Sequence, residues 1–293
     1  MDALFGDAGN DQLFGGDGDD TLTGGTGHDT LVGGDGNDLY VITDRFDTIV
    51  ETATGGDDTI QTTVDINLGL MASGAFIETV VSVGGSVTLV GTAGSNTLIG
   101  FGNGPFADTL IGGDGGDVYG LGESDFIIEG AGAAAGIDAA YSYTISIDLS
   151  SVAHGNGNVE NAYLLGNAAL NLTGNAAANT LTGNLGQNVI TGGLGRDTMS
   201  GGLDGVRDTF DFNAVLETGK NAKTRDVITD FQHLVDRIDL STIDANGNAA
   251  GDPLFTFLAT KGAKFTGGKG VVRWYQENKA GTVNDKTIIE GDT

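Results

Sequence analysis

Residues 15–41 read GGDGDDTLTGGTGHDTLVGGDGNDLYV, and the period of nine in this stretch is the strongest constraint the chain carries. An aspartate returns every nine residues at Asp2, Asp11, Asp20, Asp29 and Asp38. Asp47 keeps the beat once more, although its loop, Ile42 to Phe46, has lost the glycines. Two residues after each aspartate stands an apolar side chain: Leu4, Leu13, Leu22, Leu31, Tyr40 and Ile49. A unit such as Thr21-Leu22-Thr23 alternates polar, apolar, polar, which makes a short strand with one side chain inward. Six glycine-rich residues then turn the chain, because glycine reaches positive φ without steric cost. Two nonapeptides complete one coil, so residues eighteen apart stack: Asp11 over Asp29, and Asp20 over Asp38.

Such a coil is short of stabilisation by itself. Each nonapeptide buries about one large apolar side chain, against the ordering of nine backbone residues. Stacked carboxylates oppose closure further, and the whole chain carries 40 acidic against 13 basic residues, a net charge of −27. That balance excludes phosphate-backbone binding, which needs Lys and Arg, and adhesion to an anionic membrane. A hard cation with oxygen ligands reverses the sign of the electrostatic term. Ca²⁺ takes about 6–8 oxygens and accepts backbone carbonyls, whereas Mg²⁺ demands stricter octahedral geometry. With no cysteine in the chain, disulfides and thiolate metal sites are excluded.

The repeat resembles the nonapeptide of the RTX (repeats-in-toxin) family, G-G-x-G-x-D-x-U-x. The resemblance implies an all-β, right-handed parallel β-helix or β-roll with several Ca²⁺ ions held between loops of successive coils. Ligands carried over from the family are loop carbonyls plus the aspartate of each loop. One implied site joins Asp7, Gly9 and Asp11 with Gly24, Thr26 and Asp29. A second joins Gly16, Gly18 and Asp20 with Gly33, Asp35 and Asp38. A third uses Gly25, Gly27 and Asp29 with Asp47, whose loop departs from the pattern.

The pattern returns at 91–120 and 174–211, within a longer unit of about eighty residues. GGDGNDLYV at 33–41 matches GGDGGDVYG at 112–120, and DTIVE at 47–51 matches DFIIE at 125–129. Asn96, Asn179 and Asn188 take the aspartate slot; they keep an oxygen but lose the charge, so weak or empty sites are expected there. Asp108, Asp117, Asp197 and Asp208 restore the charge and are further candidate ligands. Between the clusters, Thr59–Asn67, Val80–Val90, Tyr141–Leu149 and Ala162–Thr173 read as strands of wider, metal-free coils.

From about residue 207 the glycine density falls. Asp226-x-Ile228-x-Asp230-Phe231, Asp236-x-Ile238-Asp239-Leu240 and the segments at Phe255–Leu258 and Val271–Tyr275 are similar to the C-terminal domain of serralysin-type secreted metalloproteases. The expected division is a β-roll/β-helix solenoid over 1–206 and a serralysin-like β-roll end with its cap over 207–293. The metalloprotease motif H-E-x-x-H is absent, as are the G-x-S-x-G elbow and the P-loop, so no enzyme is expected. GNGPFA at 102–107 half-matches a dinucleotide fingerprint, DANGNAAGD at 244–252 fails the EF-hand pattern, and Asp57-Asp58 is a chance acidic pair among many.

The N-terminus lacks the basic and apolar regions of a signal peptide, and no apolar run approaches the ~20 residues of a membrane span. The family usually continues past Gly291-Asp292-Thr293 into a secretion signal, so the chain reads as trimmed or as a segment of something larger. The expected function is a secreted, extracellular, non-catalytic Ca²⁺-binding module, of bacterial type I export, that folds on meeting calcium. Two rivals stay open: a self-assembling filament, surface-layer or adhesin component stacked head to tail, and an accessory module of a secreted protease or polysaccharide-active enzyme that meets extracellular polysaccharide.

Overall fold

The computed structural model describes residues 1–100, 106–130, 136–155, 157–214, 216–218 and 223–243, together with the backbone of strands Thr256–Phe257, Val271–Glu277 and Lys286–Asp292. The segment 244–252 and most of 102–107 lie outside the described residues. By contacts the chain forms two compact units, Met1–Asn161 and Ala162–Thr293. This is a partition by packing, of a different kind from the division at 206/207 drawn on composition and resemblance.

In the first unit the strands on one side are Ala3–Phe5, Thr21–Thr23, Leu39–Ile42, Thr59–Thr62, Thr79–Ser82, Thr97–Ile99, Val118–Gly120 and Ala139–Ser142, each pairing in parallel with the next. The register steps by eighteen through Ala3, Thr21 and Leu39, by twenty through Thr59 and Thr79, and by twenty-one from Thr97 through Val118 to Ala139. The other side carries two parallel sheets. One is Gln12–Asp17, Thr30–Asp35 and Thr48–Val50; the other is Ile66–Asn67, Thr88–Val90, Thr109–Ile111 and Phe126–Ile128. Alternate nonapeptides therefore fall on opposite sides of one coil, as a parallel β-solenoid requires.

The apolar residue two past each aspartate fills the interior. Leu13, Leu22, Leu31, Tyr40 and Ile49 are buried, and the column continues through Ile60, Val80, Leu89, Leu98, Leu110, Tyr119 and Ile127. Leu4, on the first coil, is half-buried. The strand-like stretches between clusters each resolve into two short strands with a corner between them. In the stretch from Thr59, strand Thr59–Thr62 is followed by Ile66–Asn67, and the Thr62 hydroxyl makes the corner by donating to Val64 O at 2.8 Å and accepting Val64 N–H at 3.0 Å. Ser142 repeats the device by accepting the N–H groups of Thr144 and Ile145, both at 3.2 Å.

In the second unit Thr180–Thr182, Thr198–Ser200 and Val227–Ile228 pair in parallel. Facing them, Asn171–Thr173, Val189–Thr191, Thr209–Asp211 and Arg237–Asp239 do the same. Leu172, Leu181, Ile190, Met199 and Phe210 are its buried column. Nearer the C-terminus a separate three-stranded sheet is mixed: Thr256–Phe257 pairs parallel to Val271–Glu277, which pairs antiparallel to Lys286–Asp292.

Candidate metal centres

Each repeat aspartate sits just before a strand, where parallel pairing leaves a backbone N–H at the end of the ladder. The carboxylate of the next coil caps that group. Asp11 N–H donates to Asp29 Oδ1 at 2.9 Å, Asp20 N–H to Asp38 Oδ1 at 2.8 Å, and Asp29 N–H to Asp47 Oδ1 at 3.2 Å. The series runs on through Asp38 to Asp58, Asp58 to Glu78, and Asp117 to Asp138 to Glu160. On the other side Asp108 N–H donates to Asp125, and in the second unit Asp197 N–H and Asp208 N–H donate to Asp226 and Asp236. Asp204 and Gly205 add two residues to the nine-residue period before Asp208, yet the register stays intact, since Asn188 N–H meets Asp208 Oδ1 at 2.9 Å.

One oxygen of each of these carboxylates is thereby used; in Asp125 and Asp236 the other accepts a second backbone N–H, from Gly122 and Gln232, both at 2.7 Å. Oδ2 of Asp11, Asp20, Asp29, Asp38, Asp47, Asp58, Asp117, Asp138, Asp197, Asp208 and Asp226 is buried with no hydrogen-bond partner. A buried anionic oxygen left without a partner is costly. Burial, opposed by the capping N–H and reinforced by neighbouring carboxylates, raises Asp47 and Asp208 to about 6 and Asp58, Asp138 and Asp197 to about 7. Such a group calls for a proton or a cation.

The surrounding space favours a cation. A Cβ placed on Gly15 meets both Asp20 Oδ2 and Gly33 O at 2.6 Å, and one on Gly192 meets Asp197 Oδ2 at 2.6 Å. At these two positions the missing side chain leaves room beside the orphaned oxygen. The turns also need glycine. Gly27 has φ +137° and Gly34 has φ +116°, and a Cβ on either would overlap the carbonyl of Gly9 or Gly16 one coil back. Asp7 stands in the corresponding slot of the first loop with φ +66°, a conformation aspartate tolerates.

The asparagine slots solve the same problem without an ion. Asn96 Oδ1 accepts Thr92 N–H at 2.7 Å and its amide donates to Ile77 O at 3.0 Å. Asn179 takes Asn175 N–H at 2.8 Å and donates to Asn175 Oδ1 at 3.1 Å. Asn188 takes Asn184 N–H at 2.9 Å and donates to Leu170 O at 2.7 Å. Where aspartate becomes asparagine, an amide N–H₂ replaces what the cation would have supplied.

The structure places the implied ligands as follows. Asp7 O accepts Thr26 N–H at 2.9 Å, Thr26 O accepts Gly9 N–H at 3.0 Å, and Asp35 O accepts Gly18 N–H at 2.6 Å. Those carbonyls each retain a second lone pair. Gly24 O and Gly33 O lie against Gly6 and Gly15 of the previous coil, and Gly18 O lies against Gly36 of the next. At the third site Thr43 Oγ1 reaches Gly25 O at 3.4 Å, and Phe46 stacks on His28 with ring centroids 4.8 Å apart.

Sequence reasoning missed two clusters. Asp38, Glu51 and Asp58, and likewise Asp117, Glu129 and Asp138, are buried and bring one carboxylate oxygen each within 4.8 Å of the others. Neither glutamate lies in a G-G-x-G-x-D loop. The eighty-residue repeat holds the signal, for DTIVE and DFIIE align Glu51 with Glu129. Asp57 and Asp58 separate: Asp58 is fully buried, whereas Asp57 is exposed.

A parallel β-solenoid whose coil junctions are lined by half-satisfied carboxylates is a cation-binding repeat protein. The particular repeat is the RTX calcium-binding nonapeptide, whose family model, built on four copies of the repeat, matches residues 4–40 and 173–205. The chain carries RTX repeats, and these bind calcium. No curated protein matches the sequence. Among the described residues no helix is long and apolar enough to cross a membrane.

Proposed function

We propose that the chain is a secreted, non-catalytic RTX module that folds when it meets Ca²⁺ outside the cell. The observation that carries this reading is the row of buried Oδ2 atoms without partners at the coil junctions. The first loop site uses Asp11 and Asp29 with the carbonyls of Asp7, Gly9, Gly24 and Thr26. The second uses Asp20 and Asp38 with those of Gly16, Gly18, Gly33 and Asp35. Weaker ones fall at Asp29–Asp47 with Gly25 and Gly27, and at Asp108, Asp117, Asp197 and Asp208.

Binding free energy then becomes folding free energy. Where calcium is scarce, carboxylate repulsion holds the coils open; at extracellular calcium, the ~10⁻⁴–10⁻³ M range of extracellular modules, they close. The antiparallel strands Val271–Glu277 and Lys286–Asp292 serve as the cap that a solenoid end requires. Far-ultraviolet circular dichroism during a Ca²⁺ titration tests this. The β signal should be weak in chelator and rise cooperatively with Ca²⁺. A full signal in chelator that ignores added Ca²⁺ would rule out coupled folding.

A further inference from the structure

Two places in the first unit carry the same four side chains. Asp38, Tyr40, Glu51 and Asp58 reappear 79, 79, 78 and 80 residues later as Asp117, Tyr119, Glu129 and Asp138. Tyr40, Tyr119, Asp58, Asp117 and Asp138 are fully buried, and Asp38, Glu51 and Glu129 are nearly so. In each place the tyrosine hydroxyl donates to the glutamate, at Glu51 Oε1 and at Glu129 Oε2. The second glutamate oxygen accepts a backbone N–H, from Thr52 at 3.1 Å and from Gly130 at 2.8 Å. Both glutamates are thus held in one orientation.

The aspartates are held too, each by one oxygen. Asp58 Oδ1 accepts Asp38 N–H at 2.8 Å and Asp138 Oδ1 accepts Asp117 N–H at 2.7 Å. Oδ2 of Asp38, Asp58, Asp117 and Asp138 is buried without a partner. A Cβ on Gly33 would overlap Asp38 Oδ2, Tyr40 Oη and Glu51 Oε1 together, and one on Gly112 would overlap Tyr119 Oη and Asp117 Oδ2. Glycine therefore keeps open a space on which these oxygens converge. Among the described residues no ion pair reaches any of the six carboxylates. Three buried carboxylates with oxygens within 4.8 Å of one another do not all remain ionised without a counter-charge.

We propose that each trio is a divalent-cation site in its own right, taking Ca²⁺ through three carboxylates, with the tyrosine as the positioning residue of its glutamate. The inference rests on the calcium-binding reading above and adds a second kind of site to it. The donors are all oxygen, which selects a hard cation over a transition metal. Three carboxylates carry more charge than the two of a nonapeptide loop site, and ligand charge is what tightens Ca²⁺ affinity. The trios are therefore the first sites to fill. The first trio lies where coils of eighteen residues give way to one of twenty, and the second lies between two coils of twenty-one, so an ion at either place ties successive coils together.

The full chain is titrated with Ca²⁺ by equilibrium dialysis and, separately, with Tb³⁺, whose emission is sensitised by a tyrosine lying close to the ion. Replacing both glutamates, Glu51→Gln with Glu129→Gln, should lower the number of bound Ca²⁺ ions by two and remove the tightest binding phase. Replacing both tyrosines, Tyr40→Phe with Tyr119→Phe, leaves every carboxylate in place. It should keep the ion count at saturation while cutting sensitised Tb³⁺ emission severalfold. If the glutamate variant fails to fold, the tyrosine variant decides. An unchanged ion count in a folded glutamate variant, or undiminished Tb³⁺ emission in the tyrosine variant, overturns the inference and leaves protons as the counter-charge. If the unaltered chain binds no Ca²⁺ at all, the calcium-binding reading itself fails, which is a separate result.

Discussion

At the scale of the residue, the chemistry turns on one atom. Oδ1 of Asp29 and of Asp38 closes the ladder, and Oδ2 of both is buried without a partner. Asp29 caps Asp11 and is itself capped onto Asp47, so it serves two junctions. Asp29→Asn keeps the shape and removes the charge. The calcium midpoint of folding should rise about tenfold, equivalent to ~1.4 kcal/mol. Circular dichroism measures this, and an unchanged midpoint would count against Asp29 as a ligand. The raised carboxylates also fix a pH dependence. Asp58 is pushed to about 7 by burial first and then by Glu51, Asp38 and Glu78; Asp138 is pushed to about 7 by burial, Glu129, Glu160 and Asp117. Their folded values exceed the ordinary carboxylate value of 3.8, so the folded form holds more protons. Without calcium, the stability they contribute is present below about pH 4 and is lost as pH rises through about 7. With calcium, protons compete for the same oxygens, so apparent affinity should fall as pH drops below 7. Folded fraction against pH, with and without chelator, checks both signs.

At the scale of the element, one strand of three or four residues contributes one buried side chain, so each is individually dispensable only at a cost. Leu22 is fully buried between Leu4 and Tyr40 of the flanking coils. Leu22→Ala should cost about 2–5 kcal/mol in urea unfolding at saturating calcium. Gly34→Ala should cost at least ~1 kcal/mol from its positive φ alone, and more from the collision with Gly16 O. The eighteen-residue pairing of the first coils was legible in the sequence because the strict period leaves one register. So was the inward column from Leu13 to Ile49, because a fixed offset from aspartate marks the strand centre. The corners at Thr62 and Ser142 were not legible, since a β-branched run gives no sign of where it bends. Glu51 and Glu129 were missed for a different reason. They reach their aspartates across a coil, 13 residues after Asp38 and 12 after Asp117, outside any motif spacing. Asp226 and Asp236 continue the capping ladder past insertions, and only the Asp-x-Ile spacing hints at it.

At the scale of the whole molecule, a net charge of −27 with carboxylates concentrated at coil junctions makes the folded state a creature of its counter-ions. Screening by monovalent salt weakens repulsion over a Debye length of about 10 Å at 0.1 M, but it supplies no ligand to a buried oxygen. Mg²⁺ supplies charge yet gives up its waters reluctantly. Hydrodynamic radius should therefore contract with Ca²⁺ and change little with Na⁺ or Mg²⁺ at matched ionic strength, as dynamic light scattering reads directly. The central claim is that the orphaned Oδ2 atoms are calcium ligands. Anomalous scattering from crystals grown in Ca²⁺ tests it most directly. The account predicts calcium peaks between the loops of Asp11 and Asp29 and of Asp20 and Asp38, within about 2.3–2.6 Å of their Oδ2 atoms. Calcium peaks elsewhere, with those oxygens hydrogen-bonded to water, would contradict it.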